Sequence, residues 1–463
     1  MGALAVILVV TGIVAMRQVP LSLSSFDQPF YLGIADDLLA TGRFTNGFMF
    51  DAHGPASGRG SGMRFSPLYP VMLAGMAKMD PVLRRGMDCV VATNDRADAC
   101  QSAAPGMRGV QFAMLAAFFL LVWWMGGVIG DSPGMAWLTL AVALLATSAL
   151  VRYVDLLMTE MTTLLFATAA IAAWLQAERS RRPVIWSLVA GGLLGLTALT
   201  RPGFLYLLPF CVLAAYVLAI CQRWSRAGWL RVLGLAGGGL AVLAPWIIRN
   251  RLVFGRAALT YGYDSHTLVQ RIAFDTMTWR EYGLAYLCWL PDGTSLGRRL
   301  IGPGACDRFG WDDKPTSFYT LGLRHMLDET LRAAGGYEHH LSYLLRHYIL
   351  VMPLWHMAVS IPLALRGAYV SHWWGFVLLP VCLWMTATAF WRRGGERYLA
   401  VALPALFMLA FNACVAVNQT RYNLLLMPAY AVAGAMGLRA AASHWHGGGR
   451  WMDGTAWARW RAR

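Results

Sequence analysis

Residues 108–129 read RGVQFAMLAAFFLLVWWMGGVI, and after Arg108 the only strongly polar side chain in the run is Gln111. A bilayer core about 30 Å thick needs ~20 apolar residues per helix, so this run is long enough to cross one. It is also too long and too evenly apolar for a buried strand. Ten further stretches read the same way, near 2–19, 134–151, 157–176, 184–200, 203–221, 232–248, 346–365, 372–391, 398–416 and 421–440. The sequence therefore predicts an all-α polytopic membrane protein of about 10–12 transmembrane helices. Residues 2–19 lack a basic n-region and a clean A-x-A site, which predicts a span rather than a cleaved leader. Internal prolines and glycines are no objection, since membrane helices tolerate both.

Composition agrees with this. The chain is 57% hydrophobic and only 14% charged over 463 residues, against roughly 25% charged in soluble domains. Its net charge of +15 raises the question of nucleic acid, and the distribution of that charge answers it. Two polar segments, 27–106 and 249–345, hold equal numbers of acids and bases between them. The whole excess lies in the short connections, the span ends and the basic tail of 441–463. That is the positive-inside pattern of a membrane protein, and it excludes a nucleic-acid surface.

Arg179, Arg181 and Arg182 after the fourth span, with Arg223, Arg226 and Arg231 after the sixth, predict a cytoplasmic side there. Both large loops then face outward, each carrying short amphipathic helices. Cys89 and Cys100 share the first loop and Cys288 and Cys306 the second, so two disulfides in an oxidising compartment are expected, against an alternative of four unpaired thiols. One conflict stands in this reading. Eleven spans from a cytoplasmic N-terminus would put the arginine-rich tail outside, so either one stretch does not cross or another is missed, with 283–290 a re-entrant candidate.

The chemistry-bearing residues gather at span ends. Asp27 follows the first span in FDQPFYLGIADDLLATGRF (26–44), where a carboxylate is either solvated or catalytic. Phe30, Ile34 and Leu38 repeat at helical spacing, with Asp36 and Asp37 opposed, predicting an interfacial helix whose acids face water. RYVDLLMTEMTT (152–163) places Asp155 and Glu160 on the same side as Asp27. Arg152 is a ready partner for Asp155, whereas Glu160 has no local partner and is the stronger functional candidate. Arg64, Arg201, Arg249, Arg251 and Arg421, with Tyr422, also fall at span ends or in the outer loops, and Arg397 has a similar sequence setting. Guanidinium groups there either meet lipid headgroups or hold a phosphate by bidentate hydrogen bonds. His53, His266, His339 and His340 lie in the outer loops, where they either ligate a metal or are loop-surface histidines; adjacent His339 and His340 do not share a helix face, which favours the second. Trp279, Tyr282, Trp289, Trp311 and Tyr319 could stack on sugar faces or form loop core and interface anchors.

In order, FDQPFYLGIADDLLATGRF, PLYPVMLA, MTEM, LTALTRPG, PWIIRNRLVFG and TRYNLLLMPAY resemble the GT-C superfamily of integral-membrane glycosyltransferases, in the bacterial branch akin to protein mannosyltransferases and aminoarabinose transferases. The resemblance runs from Asp27 to about Leu438. It implies a GT-C-like helix bundle over 1–440 with two large extracytoplasmic loops. It also implies a polyprenyl-phosphate-linked sugar donor and transfer, with inversion, to a hydroxyl on a lipid, polysaccharide or protein. The enzyme would sit in the bacterial inner membrane with its site facing the exterior. Asp27 matches the family's first acidic position, expected to be the general base, and Glu160 the second. Arg64, Arg201, Arg249, Arg421 and Tyr422 are the residues expected at the donor phosphate. The family often has a second acid directly after the first, where this chain has Gln28, so any divalent metal there would be held without it. A transporter or lipid-linked-sugar flippase is the competing class. Its usual marks, acids within spans and internal repeats, are weak here.

Overall fold

The computed structural model describes residues 2–16, 21–23, 27–48, 58–93, 100–102, 104–146, 150–221, 225–310, 315–391 and 394–446. Arg17, His53, Arg223, Trp311 and the tail beyond 446 lie outside them. Among the described residues the chain is helical apart from one two-residue antiparallel pair, Leu21–Ser22 with Gln101–Ser102. It is an integral membrane protein. Six helical segments are long and apolar enough to cross a bilayer: Pro105–Gly130, Pro183–Thr200, Pro202–Cys221, Arg226–Phe254, Pro353–Trp391 and Glu396–Val415. Gly2–Met16, Pro133–Ala146, Glu160–Arg179 and Leu426–His446 correspond to four more of the expected spans.

The two ends of the bundle are told apart by ion pairs. Arg108, three residues into Pro105–Gly130, pairs with Asp155 at 3.0 Å, and Arg201 at the C-terminal end of Pro183–Thr200 reaches Glu160. At the opposite end Arg397 and Arg231 both meet Glu178, and Arg397 also meets Asp131. Glu160 and Glu178 sit 18 positions apart on one helix, or about 27 Å at 1.5 Å per residue. Arg397 therefore belongs to the far end, away from the other arginines with which its sequence setting groups it. Asp155 pairs with Arg108, 47 positions away along the chain.

The conflict over the tail resolves at 346–365. The helix Pro353–Ala368 does not change ends. His356 near its start bonds the Cys414 carbonyl, the Leu363 carbonyl accepts from Asn418, and the Ala368 carbonyl accepts from the Tyr430 hydroxyl. All three partners lie at or near the Glu160 end. The chain kinks at His372, where φ is +54°, and Gly375–Trp391 then runs to the far end, where Gly395 packs against the Ala389 backbone. Among the described residues ten helices thus change ends, and the first and last of these have their outer termini on the same side. The re-entrant candidate is a ten-residue helix, Trp279–Cys288, closed by a Thr278–Glu281 capping box.

Two helices touch backbone to backbone. A Cβ on Gly191 would lie 2.0 Å from the Leu235 carbonyl oxygen, and one on Gly238 would lie 2.1 Å from that of Leu188. Small residues allow this approach in a bilayer, where association rests on packing and not on exclusion of water. Pro183–Thr200 and Arg226–Phe254 thereby form a locked pair.

Both loops fold on their own cores and carry the expected disulfides, Cys89–Cys100 and Cys288–Cys306. In the first loop, the helix Gln28–Thr41 departs from expectation. Asp36 and Asp37 are buried, not solvated: Arg84 pairs with Asp36 at 2.9 Å, while Arg59 and the Thr45 hydroxyl close on Asp37. Burial raises both carboxyl pKa values, and the arginines work against that rise. The helix is held inside its loop by charge pairs.

Candidate active site

Asp27 is the N-cap of Gln28–Thr41, but its carboxylate makes no capping bond. It points instead to Arg421, whose Nη2 lies 3.0 Å from Asp27 Oδ2. The next residue fixes this placement. Gln28 is fully buried, donates to the Ser22 carbonyl at 3.1 Å and accepts the Leu157 N–H at 2.8 Å. Gln111 accompanies it by donating to the Leu156 carbonyl at 2.7 Å. The turn 156–159 that leads into Glu160 is thus tied to the start of the Asp27 helix.

Glu160 opens the helix Glu160–Arg179, where the helix dipole favours a negative side chain. Its side chain is 1% exposed, against 39% for Asp27. Oε1 accepts from Arg201 at 3.3 Å and lies 3.5 Å from Arg421 Nη1, while Oε2 has no hydrogen-bond partner among the described residues. On the same helix face the buried Thr163 hydroxyl also lacks one among them. Tyr422 supports both guanidinium groups, with Arg201 4.3 Å and Arg421 5.4 Å from its ring centre. Burial works against the Arg421 charge, but Asp27, Tyr422 and Glu160 hold its pKa well above the usual arginine value.

Arg421 sits in a short stretch held by asparagines. Asn423 donates to Asn418 Oδ1 at 2.6 Å, Asn412 donates to the Tyr422 carbonyl, and Asn418 bonds Leu363. Tyr31 and Tyr263 complete the surroundings. Tyr31 is packed edge-on against Phe65 and Tyr69, and its phenol is raised first by burial and then by Asp27. Tyr263 is raised by burial, with Arg201 opposing.

The structure thus brings together Asp27, Glu160, Arg201, Arg421 and Tyr422. It places two other arginines elsewhere. Arg249 donates to the carbonyls of Gly62 and Phe44 and stacks on Trp246, so it fastens the first loop to the bundle. Arg64 lies 3.4 Å from His266 and 5.9 Å from the Tyr337 ring. Sequence reasoning missed Gln28 as a clamp, Thr163, Tyr31 and Tyr263. Only their position relative to distant residues marks them.

A small pocket lined by Glu160, Thr163, Arg201, Arg421 and Tyr422 shares Ala167 and Leu425 with a larger cavity of about 70 Å³. The larger one is lined by apolar side chains, among them Leu194, Phe210, Leu218 and Leu403, and ends at Glu178 and Glu396.

For a divalent cation the residues fit poorly. Arg421 stands between the two carboxylates, both amide groups of Gln28 are engaged, and no cluster of three or more His, Cys, Asp or Glu side chains suited to a metal occurs among the described residues.

The helix bundle is GT-C-like in fold, by its likeness to solved structures. The chain is similar to the Archaeoglobus fulgidus oligosaccharyltransferase tethered to an acceptor peptide containing the NVT sequon, with a TM-score of 0.51 and 12% identity over 96% of this chain and 50% of that one. The apo form of the same enzyme gives 0.50 and 12% over 99% and 54%. ArnT from Cupriavidus metallidurans in the apo state gives 0.39 and 15% over 95% and 78%. The chain spans about half the length of the oligosaccharyltransferase chains. No protein-family model matches it, and no curated protein matches it in sequence.

Proposed function

We propose that this protein moves a sugar from a polyprenyl-phosphate-linked donor to a hydroxyl acceptor, with inversion, at the outer face of a bacterial plasma membrane. The observation that carries the reading is the Asp27–Arg421–Glu160–Arg201 chain of charges, whose small pocket adjoins an apolar cavity. Asp27 is the carboxylate open to solvent, so an acceptor alcohol can reach it. It takes the hydroxyl proton as the oxygen attacks the anomeric carbon, a role a positioned carboxylate fills for a poor nucleophile. The bond from that carbon to the phosphate oxygen breaks on the opposite face. The leaving prenyl phosphate gains one negative charge, which Arg201 and Arg421 meet in a largely buried setting. With the proton on Asp27, the total charge of the site stays constant through the step. The apolar cavity supports a prenyl chain as the donor's tail, and Thr163 becomes a further hydroxyl donor for the phosphate.

The arginines support the sidedness. Arg179, Arg181, Arg182, Arg226, Arg231 and Arg439 gather at the end opposite the site, which favours a cytoplasmic location for that end under the positive-inside rule. The acceptor stays open among lipid, polysaccharide and protein. Trp289 is loop core here, whereas Trp279 is 77% exposed and packs on Trp355, as an interface anchor would.

The test gives purified protein a radiolabelled polyprenyl-phosphate sugar with membrane extract, and compares wild type with Asp27→Asn. Label transfer should fall about 10²-fold or more in the mutant, as for a lost general base. Equal transfer by both removes Asp27 from the mechanism. Donor movement between leaflets without transfer replaces the reading with a flippase.

A further inference from the structure

We infer that Arg421 occupies the position of a catalytic cation, so that this site works without a divalent ion. The inference rests on the proposed transfer for its chemistry, but its geometry stands apart from it. Arg421 reaches the two carboxylates with two different nitrogens, Nη2 to Asp27 at 3.0 Å and Nη1 to Glu160 at 3.5 Å. Its Nε donates to Gln419, and Nη1 also lies 3.8 Å from the Met158 sulfur. A planar fork with fixed donor directions can span two acids in this way, whereas the point charge of a lysine cannot.

A divalent cation shared by Asp27 and Glu160 would need this same space, and would place two positive charges against a third. The chain is built for the guanidinium instead. Gln28, where a second carboxylate would strengthen a metal site, is neutral and ties both amide groups to backbone. The asparagine network of Asn412, Asn418 and Asn423 holds the arginine's own segment.

The assignment also divides the work between the two arginines. Arg421 is largely engaged by protein acceptors. Arg201 makes one 3.3 Å contact with Glu160 and otherwise lies on the Tyr422 ring, which leaves it the better placed of the two to take a phosphate oxygen. Arg421 then fixes the carboxylate pair and adds its positive charge beside the leaving phosphate, as a bound cation would, while Arg201 is the direct phosphate ligand.

The test uses full-length protein in lipid nanodiscs and manganese as the probe, with bound Mn²⁺ read by the loss of its free electron-spin-resonance signal. Wild type should bind no stoichiometric Mn²⁺ at 1 mM, roughly a thousandfold above a micromolar site. Arg421→Gln, which uncovers the carboxylate pair, should gain a site that Asp27→Asn in the same background removes. In the transfer assay EDTA should leave the wild-type rate unchanged, and Arg421→Lys should lower kcat at least tenfold with a KM for donor within about threefold. Stoichiometric Mn²⁺ on the wild type that is lost in Asp27→Asn overturns the inference, as does transfer abolished by EDTA and restored by Mn²⁺. If Arg421→Gln does not fold, as judged by its failure to elute as a single species, the wild-type binding and EDTA results still decide. If no transfer is found under any condition, the proposed function fails while the Mn²⁺ result still judges the assignment.

Discussion

Replacing Gln28 with Met keeps the side chain's length and volume and removes both of its hydrogen bonds. Leu157 is 1% exposed, so its N–H would be left without a partner in a dry site, at about 1–3 kcal/mol. Losing the bond to Ser22 adds about 1 kcal/mol. The penalty of about 2–4 kcal/mol falls on the junction between the Asp27 helix and the turn before Glu160, and equals a shift of roughly 30- to 1,000-fold between held and loosened states. Misplacing a catalytic group by an ångström can cost 10²-fold, so kcat for sugar transfer should fall by about that factor while KM for the donor changes little. Gln28→Glu keeps an acceptor for Leu157 and loses the donor to Ser22, and should fall in between. Hydrogen exchange at the Leu157 amide gives a readout independent of activity, and should accelerate in Gln28→Met. An unchanged rate together with a Leu157 amide as protected as in wild type would refute the clamp.

Three other outcomes follow from the same geometry. Replacing Cys288 and Cys306 by serine opens a loop spanning 18 positions and should lower the local stability of the second outer loop by about 3 kcal/mol, seen as faster proteolysis of 279–309 at unchanged expression. His266 is held down to about 4 by burial and by Arg64, so above pH 6.5 it is neutral whether folded or not. Below that value the unfolded chain takes up a proton that the fold refuses, so stability drops between pH 6.5 and 4, by up to about 3 kcal/mol. His266→Gln should therefore melt closer to its neutral-pH temperature at pH 5 than wild type does, and parallel melting curves would count against a buried neutral His266. Gly191→Val should prevent accumulation of monodisperse protein in detergent, because its Cβ lies 2.0 Å from a backbone oxygen; normal yield would show that the helices can part.

What the sequence disclosed depended on distance along the chain. Uninterrupted apolar runs are local, so the helices at 105–130, 183–200 and 396–415 were legible, and so was the gathering of carboxylates and arginines at their ends. The paired cysteines were legible because each loop holds two. Which arginine meets which acid was not. Arg108 finds Asp155 over 47 positions and Arg421 finds Glu160 over 261, and periodicity carries no trace of such pairings. The same limit explains Arg249, whose partners are backbone carbonyls about 200 positions earlier, and Asp36 and Asp37, whose burial depends on Arg84 and Arg59. Pro353–Ala368 belongs to a longer apolar run, and composition cannot tell a segment that crosses from one that stays at one end.

The glycine contact between Pro183–Thr200 and Arg226–Phe254 bears on how the two arginines are held. Arg201 caps a helix whose backbone is pressed against its neighbour's, so that arm of the site has a closely packed mount. Arg421 stands on a four-residue 3₁₀ turn hung between two helices and steadied by asparagine side chains. One arginine is therefore anchored by backbone pressed on backbone, and the other by a latch of side-chain hydrogen bonds that a single asparagine substitution would loosen.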